Sequence, residues 1–133
     1  MKNFKNVFVV DDDLVYHFII KKLFNKSNLN VTTSYFFNGL EAIDGLKNKI
    51  ETDSIPDLIL LDINMPVFDG WQFLEEFKKI KQIVKKEITV YLVSSSNDVS
   101  DLNKSKEFKD EVEKYFYKPM TQQDFETIFA INQ

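Results

Sequence analysis

Cysteine is absent from this chain of 133 residues. Its absence removes any disulfide framework or thiolate metal site and fits a reducing compartment. Long apolar stretches are also missing. Behind Met1-Lys2-Asn3-Phe4-Lys5-Asn6 the chain enters a short strand-like run directly. With no signal peptide or membrane span to read, the expected location is the cytoplasm. Basic residues are not in excess: the formal charge is -4 and the pI is near 5.0, so electrostatics give no reason to expect nucleic acid as a partner. The single histidine, His17, has no sequence partner that would make it a ligand or a base, and is expected to be an exposed residue of the first helix. No repeat, low-complexity segment or linker interrupts the chain, whose length predicts one domain over residues 1–133 with no room for a separate output module.

What is present is a globular composition, 44% hydrophobic with 13 Phe, distributed as short apolar runs that end in acids. The central run is Leu58-Ile59-Leu60-Leu61, which opens at Pro56, stops at Asp62 and is followed by a turn through Pro66 and Asp69-Gly70. Apolar residues without alternation mark a strand buried on both faces. Val7 to Val10 repeats the pattern and stops at Asp11-Asp12-Asp13.

Between and after these runs the periodicity becomes helical. Tyr16, Ile19, Ile20, Leu23 and Phe24 mark one face of a first helix that ends near Asn25 to Asn28. Val31 to Phe36 predicts a second strand, broken at Asn38-Gly39, and Leu40, Ala42, Ile43 and Leu46 predict a second helix before a polar loop over Lys47 to Ile55. Trp71, Leu74, Phe77, Ile80 and Val84 predict a third helix, with Trp71 in core or rim packing, and Ile88 to Val93 a fourth buried strand running into Ser94. The polar stretch from Asp98 to Phe108, with Val99, Leu102 and Phe108 to bury, is the weakest helix. Val112 to Tyr117 predicts a fifth strand ending at Lys118-Pro119, and Phe125, Ile128 and Phe129 a short last helix with Thr121 as its cap. Five alternations of strand and helix predict an α/β sheet with helices on both faces.

In such a sheet the carboxyl ends of the strands face the ligand crevice. Asp11, Asp12 and Asp13, Asp62, Ser94 and Lys118 all fall there. Gathered carboxylates repel one another and need a cation, and an all-oxygen ligand set favours Mg2+, which takes one or two carboxylates and completes its shell with water and phosphate oxygens. A carboxylate beside that ion can attack phosphorus and form an aspartyl phosphate, with Ser94 and Lys118 neutralising phosphoryl oxygens. Taken singly, each residue also has an ordinary account: Asp62 as a turn residue, Asp13 as a helix cap, Ser94 as a turn serine, Lys118 as a solvated strand end and Tyr115 as a packed aromatic. Independent turn preferences do not place all four chemistries at successive strand ends.

With these motifs in order, Asp11-Asp12, Asp62 within Asp57-Leu58-Ile59-Leu60-Leu61-Asp62-Ile63-Asn64-Met65-Pro66, Asp69-Gly70, Ser94 and Lys118-Pro119, the chain resembles a response-regulator receiver domain from Val7 to about Phe129. The resemblance implies a flavodoxin-like, doubly wound five-stranded parallel sheet of order 2-1-3-4-5 with five helices. It implies Asp62 as phosphoacceptor, and a Mg2+ site of Asp12, Asp62 and the main-chain carbonyl of Asn64, to which Asp11 contributes through water. Ser94 corresponds to the switch hydroxyl and Tyr115 to the aromatic that turns inward on activation. The implied donor is a histidine kinase or histidine phosphotransfer protein, and the implied readout surface is the fourth helix, fifth strand and fifth helix. Ser95 stands where a small apolar residue is usual, Asp13 is a third acid, and Asn64 and Ser96 occupy positions that tune dephosphorylation. Two rivals remain. One is a haloacid-dehalogenase-type phosphatase with Asp11 as nucleophile in Asp11-Asp12-Asp13-Leu14-Val15, which would leave Asp62 idle. The other is an adaptor that keeps the fold without the chemistry.

Overall fold

The computed structural model describes residues 3–95 and 99–129. Within them β1 (Asn6–Val10), α1 (Leu14–Ser27), β2 (Thr32–Phe36), α2 (Gly39–Lys49), β3 (Leu58–Leu61), α3 (Gly70–Ile83), β4 (Thr89–Ser94), α4 (Val99–Ser105), β5 (Val112–Tyr117) and α5 (Gln122–Phe129) follow one another, with one 3-10 turn at Lys106–Phe108 after α4. All strand pairings are parallel, and the sheet order is β2-β1-β3-β4-β5. β1 and β3 therefore lie side by side at the centre, with Val10 paired to Leu61. The residues that follow each, Asp11 and Asp62, leave the sheet at the same level.

Strands with helices on both faces must be apolar at every position, because alternate side chains serve opposite layers. Phe8, Val10, Ile59, Leu61, Val90 and Leu92 pack with α2 and α3 residues such as Ile43, Leu46, Leu74 and Phe77. Val7, Val9, Leu58, Leu60, Tyr91 and Val93 pack with Tyr16, Ile20, Phe24, Phe125 and Ile128 of α1 and α5. Trp71 stacks on Phe108 at 5.8 Å, which ties the turn after α4 to α3. Helix termini are fixed locally. Asp13 caps α1, whose other end closes on Asn28 in the left-handed conformation. Asp69 and Gln72 form a reciprocal capping box on α3. Thr121 and Asp124 exchange the equivalent bonds at α5.

Several boundaries and faces differ from the sequence-based expectation. β2 and β4 start one residue later, at Thr32 and Thr89, and β4 includes Ser94. In α1 the buried set is Tyr16, His17, Ile20 and Phe24, while Ile19 is 41% exposed. Tyr16, Ile20 and Phe24 form one stripe at four-residue spacing, and at 100° per residue His17 lies nearer to it than Ile19 does. Leu40 is half exposed at the start of α2, and Phe73 joins the buried face of α3. The weak fourth helix is indeed short. The role read for Ser96 and the burial of the Val99 side chain lie outside the described residues. No helix among the described residues is long and apolar enough to cross a membrane.

Candidate functional site at the carboxyl edge of the sheet

Three strand ends, those of β1, β3 and β5, contribute side chains to one pocket. The main-chain N–H of Asp11 donates to Phe36 at 3.0 Å, extending the β1–β2 ladder by one bond, and that of Asp62 donates to Val10 at 2.9 Å, extending β1–β3. The main-chain N–H of Lys118 donates to Ser94 at 2.9 Å, fixing the end of β5 against the end of β4. The backbones of Asp11, Asp62 and Lys118 are thus set by ladder bonds, and the Lys118–Pro119 peptide beyond is cis.

One oxygen from each of Asp11, Asp12 and Asp62 lies within 4.8 Å of the others. Asp11 and Asp62 are buried, and Asp12 is exposed. The Lys118 ammonium is 2.6 Å from Asp11 Oδ2 and 3.9 Å from Asp62 Oδ1, and it also sits 4.6 Å over the ring of Tyr16. Burial followed by the Asp11 charge pushes the Asp62 carboxyl up to about 7, with Lys118 and the Asn64 N–H pulling the other way. Burial also raises Asp11, against the Lys118 ammonium and the Asp13 N–H. One ammonium among three carboxylates leaves the pocket short of positive charge, which is the condition a hard dication relieves. Oxygen donors at this spacing fit Mg2+.

The loop after Asp62 is held by its own motif. Gly70 opens α3 with its N–H 2.8 Å from the Ile63 carbonyl, and a Cβ placed there would come within 2.6 Å of the Asp62 carbonyl oxygen. Only glycine lets the helix approach this closely. Between Pro66 and Phe68 the chain makes a three-residue turn, closed by a 2.7 Å bond from the Phe68 N–H to the Pro66 carbonyl, with Val67 at φ 69°. Asn64 is exposed just beyond Asp62.

Ser94 is fully buried at the end of β4. Tyr115 is half-buried against the core cluster of α2 and α3 and makes a side-chain hydrogen bond with Ser94. The two residues expected to act as switch aromatic and switch hydroxyl are therefore in contact. Asp13 takes the structural part foreseen for it: its side chain accepts the Val15 N–H at 2.9 Å, and its own N–H donates to Asp11 Oδ1 at 2.9 Å. Ser95 is exposed.

Two residues of the pocket were not recognised from the sequence. Tyr16, read only as a core position, lies beneath the Lys118 ammonium. Burial and the charges of Asp11 and Asp62 raise its hydroxyl above the usual phenol range. His17, expected at the surface, is 3% exposed, with Nε2 2.6 Å from the Asp11 carbonyl oxygen. The signal that could have found His17 was the stripe of Tyr16, Ile20 and Phe24 at four-residue spacing, which position 17 flanks at 100° per residue.

The Asp11 nucleophile required by the phosphatase alternative is engaged at both oxygens, by Asp13 and Lys118, and Asp62 would have no part to play. Comparison with known proteins points elsewhere as well. The family model of the response regulator receiver domain matches residues 7–130. The chain is 31% identical over 122 residues to the sensor histidine kinase CheAY of Helicobacter pylori, covering 92% of this chain but 14% of that protein. It is 29% identical over 103 residues to sporulation initiation phosphotransferase F of Bacillus subtilis, covering 77% of this chain and 74% of that one. Among solved structures, a two-component response regulator from Cytophaga hutchinsonii superposes with a TM-score of 0.84 at 29% identity, covering 97% of this chain and 96% of the other. The phosphorylated cyanobacterial phytochrome response regulator RcpA gives 0.75 at 29%, covering 96% and 90%. With fold, strand order and match all in agreement, the chain belongs to the response regulator receiver domain family, the phosphoacceptor module of two-component signalling.

Proposed function

We propose that Asp62 accepts a phosphoryl group from a histidine kinase or histidine phosphotransfer protein, and that the modified carboxylate switches a protein-binding surface. The observation that carries this is the convergence of acids from the ends of β1 and β3 with the ammonium from the end of β5. In the transfer, an Asp62 oxygen forms a bond to phosphorus as the bond from phosphorus to the donor nitrogen breaks, and the electron pair leaves with the imidazole. Lys118 would balance charge on the phosphoryl oxygens, and Ser94, at the end of β4, would hydrogen-bond to them. Asp12, Asp62 and the main-chain carbonyl of Asn64 would hold Mg2+, with Asp11 reaching it through water. When bound, that ion supplies charge neutralisation among the acids and orients the incoming phosphate.

The chain itself turns over no separate substrate on this reading; it accepts a group and later loses it to water. A protein donor is supported by the exposed apolar side chains Leu14, Val15 and Phe18 on α1, the helix that follows the Asp11–Asp13 acids. Phosphorylation adds about one to two negative charges and three acceptor oxygens. These draw on Ser94, and through it on Tyr115, and so bias the surface of α4, β5 and α5 that downstream proteins would read. The test is labelling by a small acyl phosphate in Mg2+, followed by intact mass: the parent gains one phosphoryl group and Asp62→Asn gains none. Equal labelling of both would remove Asp62 from its role.

A further inference from the structure

We infer that His17 is a positioning residue for the acidic cluster, acting through the main-chain carbonyl of Asp11; this rests on the Mg2+ site proposed above. The imidazole is enclosed on several sides. It stacks on Phe37 at 4.6 Å and 13°, lies 5.4 Å from Tyr35, and puts Nε2 2.6 Å from the Asp11 carbonyl oxygen. A carbonyl oxygen only accepts, so Nε2 carries the proton.

This bond completes a grip on Asp11. Its N–H is held by Phe36 of β2, its Oδ1 by the Asp13 N–H, its Oδ2 by Lys118 after β5 and its carbonyl by His17 of α1. Each of the four polar atoms is fixed by a different segment. The carbonyl matters most for the neighbour. The Asp11 carbonyl and the Asp12 N–H belong to one planar peptide unit, so anchoring the first sets the direction in which the chain enters Asp12. Asp12 is exposed and its carboxylate is not held by packing. The orientation it brings to the ion is inherited from a backbone that His17 fixes. A group that orients a ligand without touching the metal is worth roughly 10- to 100-fold in affinity where it has been measured.

The test is a calorimetric Mg2+ titration of the intact protein and of Asp12→Asn, His17→Phe and His17→Gln. His17→Phe keeps the stacking ring and removes the donor, and His17→Gln returns a donor at about the same reach. Binding about 10-fold weaker in His17→Phe and restored to within about threefold of the parent in His17→Gln is the expected pattern. Parent-like binding in His17→Phe, or equal weakening in both His17 variants, overturns the positioning role. Parent-like binding in Asp12→Asn overturns the metal-site reading instead, so the two failures are distinguishable. Should His17→Phe not fold, nitrogen NMR of the unsubstituted protein decides: the His17 ring resonances shift with the same Mg2+ midpoint as the calorimetry, and unshifted resonances overturn the inference.

Discussion

Lys118 is held closer to Asp11 than to Asp62, at 2.6 Å against 3.9 Å. The amine that balances charge in the pocket is therefore parked on the acid at the end of β1, leaving the carboxylate at the end of β3 the less compensated of the two.

Removing that amine strands a buried carboxylate. Lys118→Met is expected to lower stability at neutral pH by about 3 kcal/mol, the scale for breaking one side of a buried ion pair. Urea unfolding of the two proteins at pH 7.5 measures this, and coincident midpoints would show that Asp11 does not depend on Lys118.

The raised Asp62 carboxyl makes stability depend on pH in a fixed direction. The folded state holds that proton up to about pH 7, where the unfolded chain releases it near 3.8. More protons are bound to the folded state within that window, so the stability of the metal-free protein falls as pH rises through it. Asp62→Asn removes this contribution, so thermal melts of the variant should lose most of the decline between pH 5 and pH 8. Added Mg2+ should stabilise the parent more at pH 8 than at pH 5, because only the ionised carboxylates bind it.

Gly70→Ala tests the close approach of α3 to the Asp62 backbone. A methyl group 2.6 Å from the Asp62 carbonyl oxygen cannot be accommodated by side-chain movement, since both sides are main chain. Destabilisation of about 2 kcal/mol is expected in spite of the better helix propensity of alanine. A midpoint at or above that of the parent would mean that α3 can withdraw at no cost.

Val67 is a β-branched residue at φ 69° and is 95% exposed, so no packing compensates for its backbone. Val67→Gly should stabilise the protein by about 1 kcal/mol, the left-handed penalty less the extra chain entropy of glycine. Denaturant midpoints read this directly, and a less stable glycine variant would show that the turn is unstrained.

Much of the architecture could be read because its determinants are local. Leu58 to Leu61 and Val7 to Val10 are apolar without interruption because they face two layers, and Asp11, Asp62, Ser94 and Lys118 are informative because a parallel sheet brings strand ends together whatever the intervening sequence. What escaped depended on phase and on tertiary partners. Apolar periodicity favoured Ile19 over His17 in α1, because a histidine counts as polar until a buried carbonyl is found for it to bond. Tyr16 was legible as a buried residue but not as the ring under Lys118, which is 102 positions away in the chain and meets it only through the fold. The turn at Val67 had no signature at all, since a β-branched residue argues against the conformation it adopts.

The hydrogen bond between Ser94 and Tyr115 has a consequence for how far a message must travel. Ser94 lies at the end of β4 and Tyr115 on the outermost strand, so a tug on the hydroxyl arrives at the rim of the molecule after a single handover. On the proposed function such a relay would need no hinge, and replacing Tyr115 would cut it while Ser94 still meets the phosphoryl group.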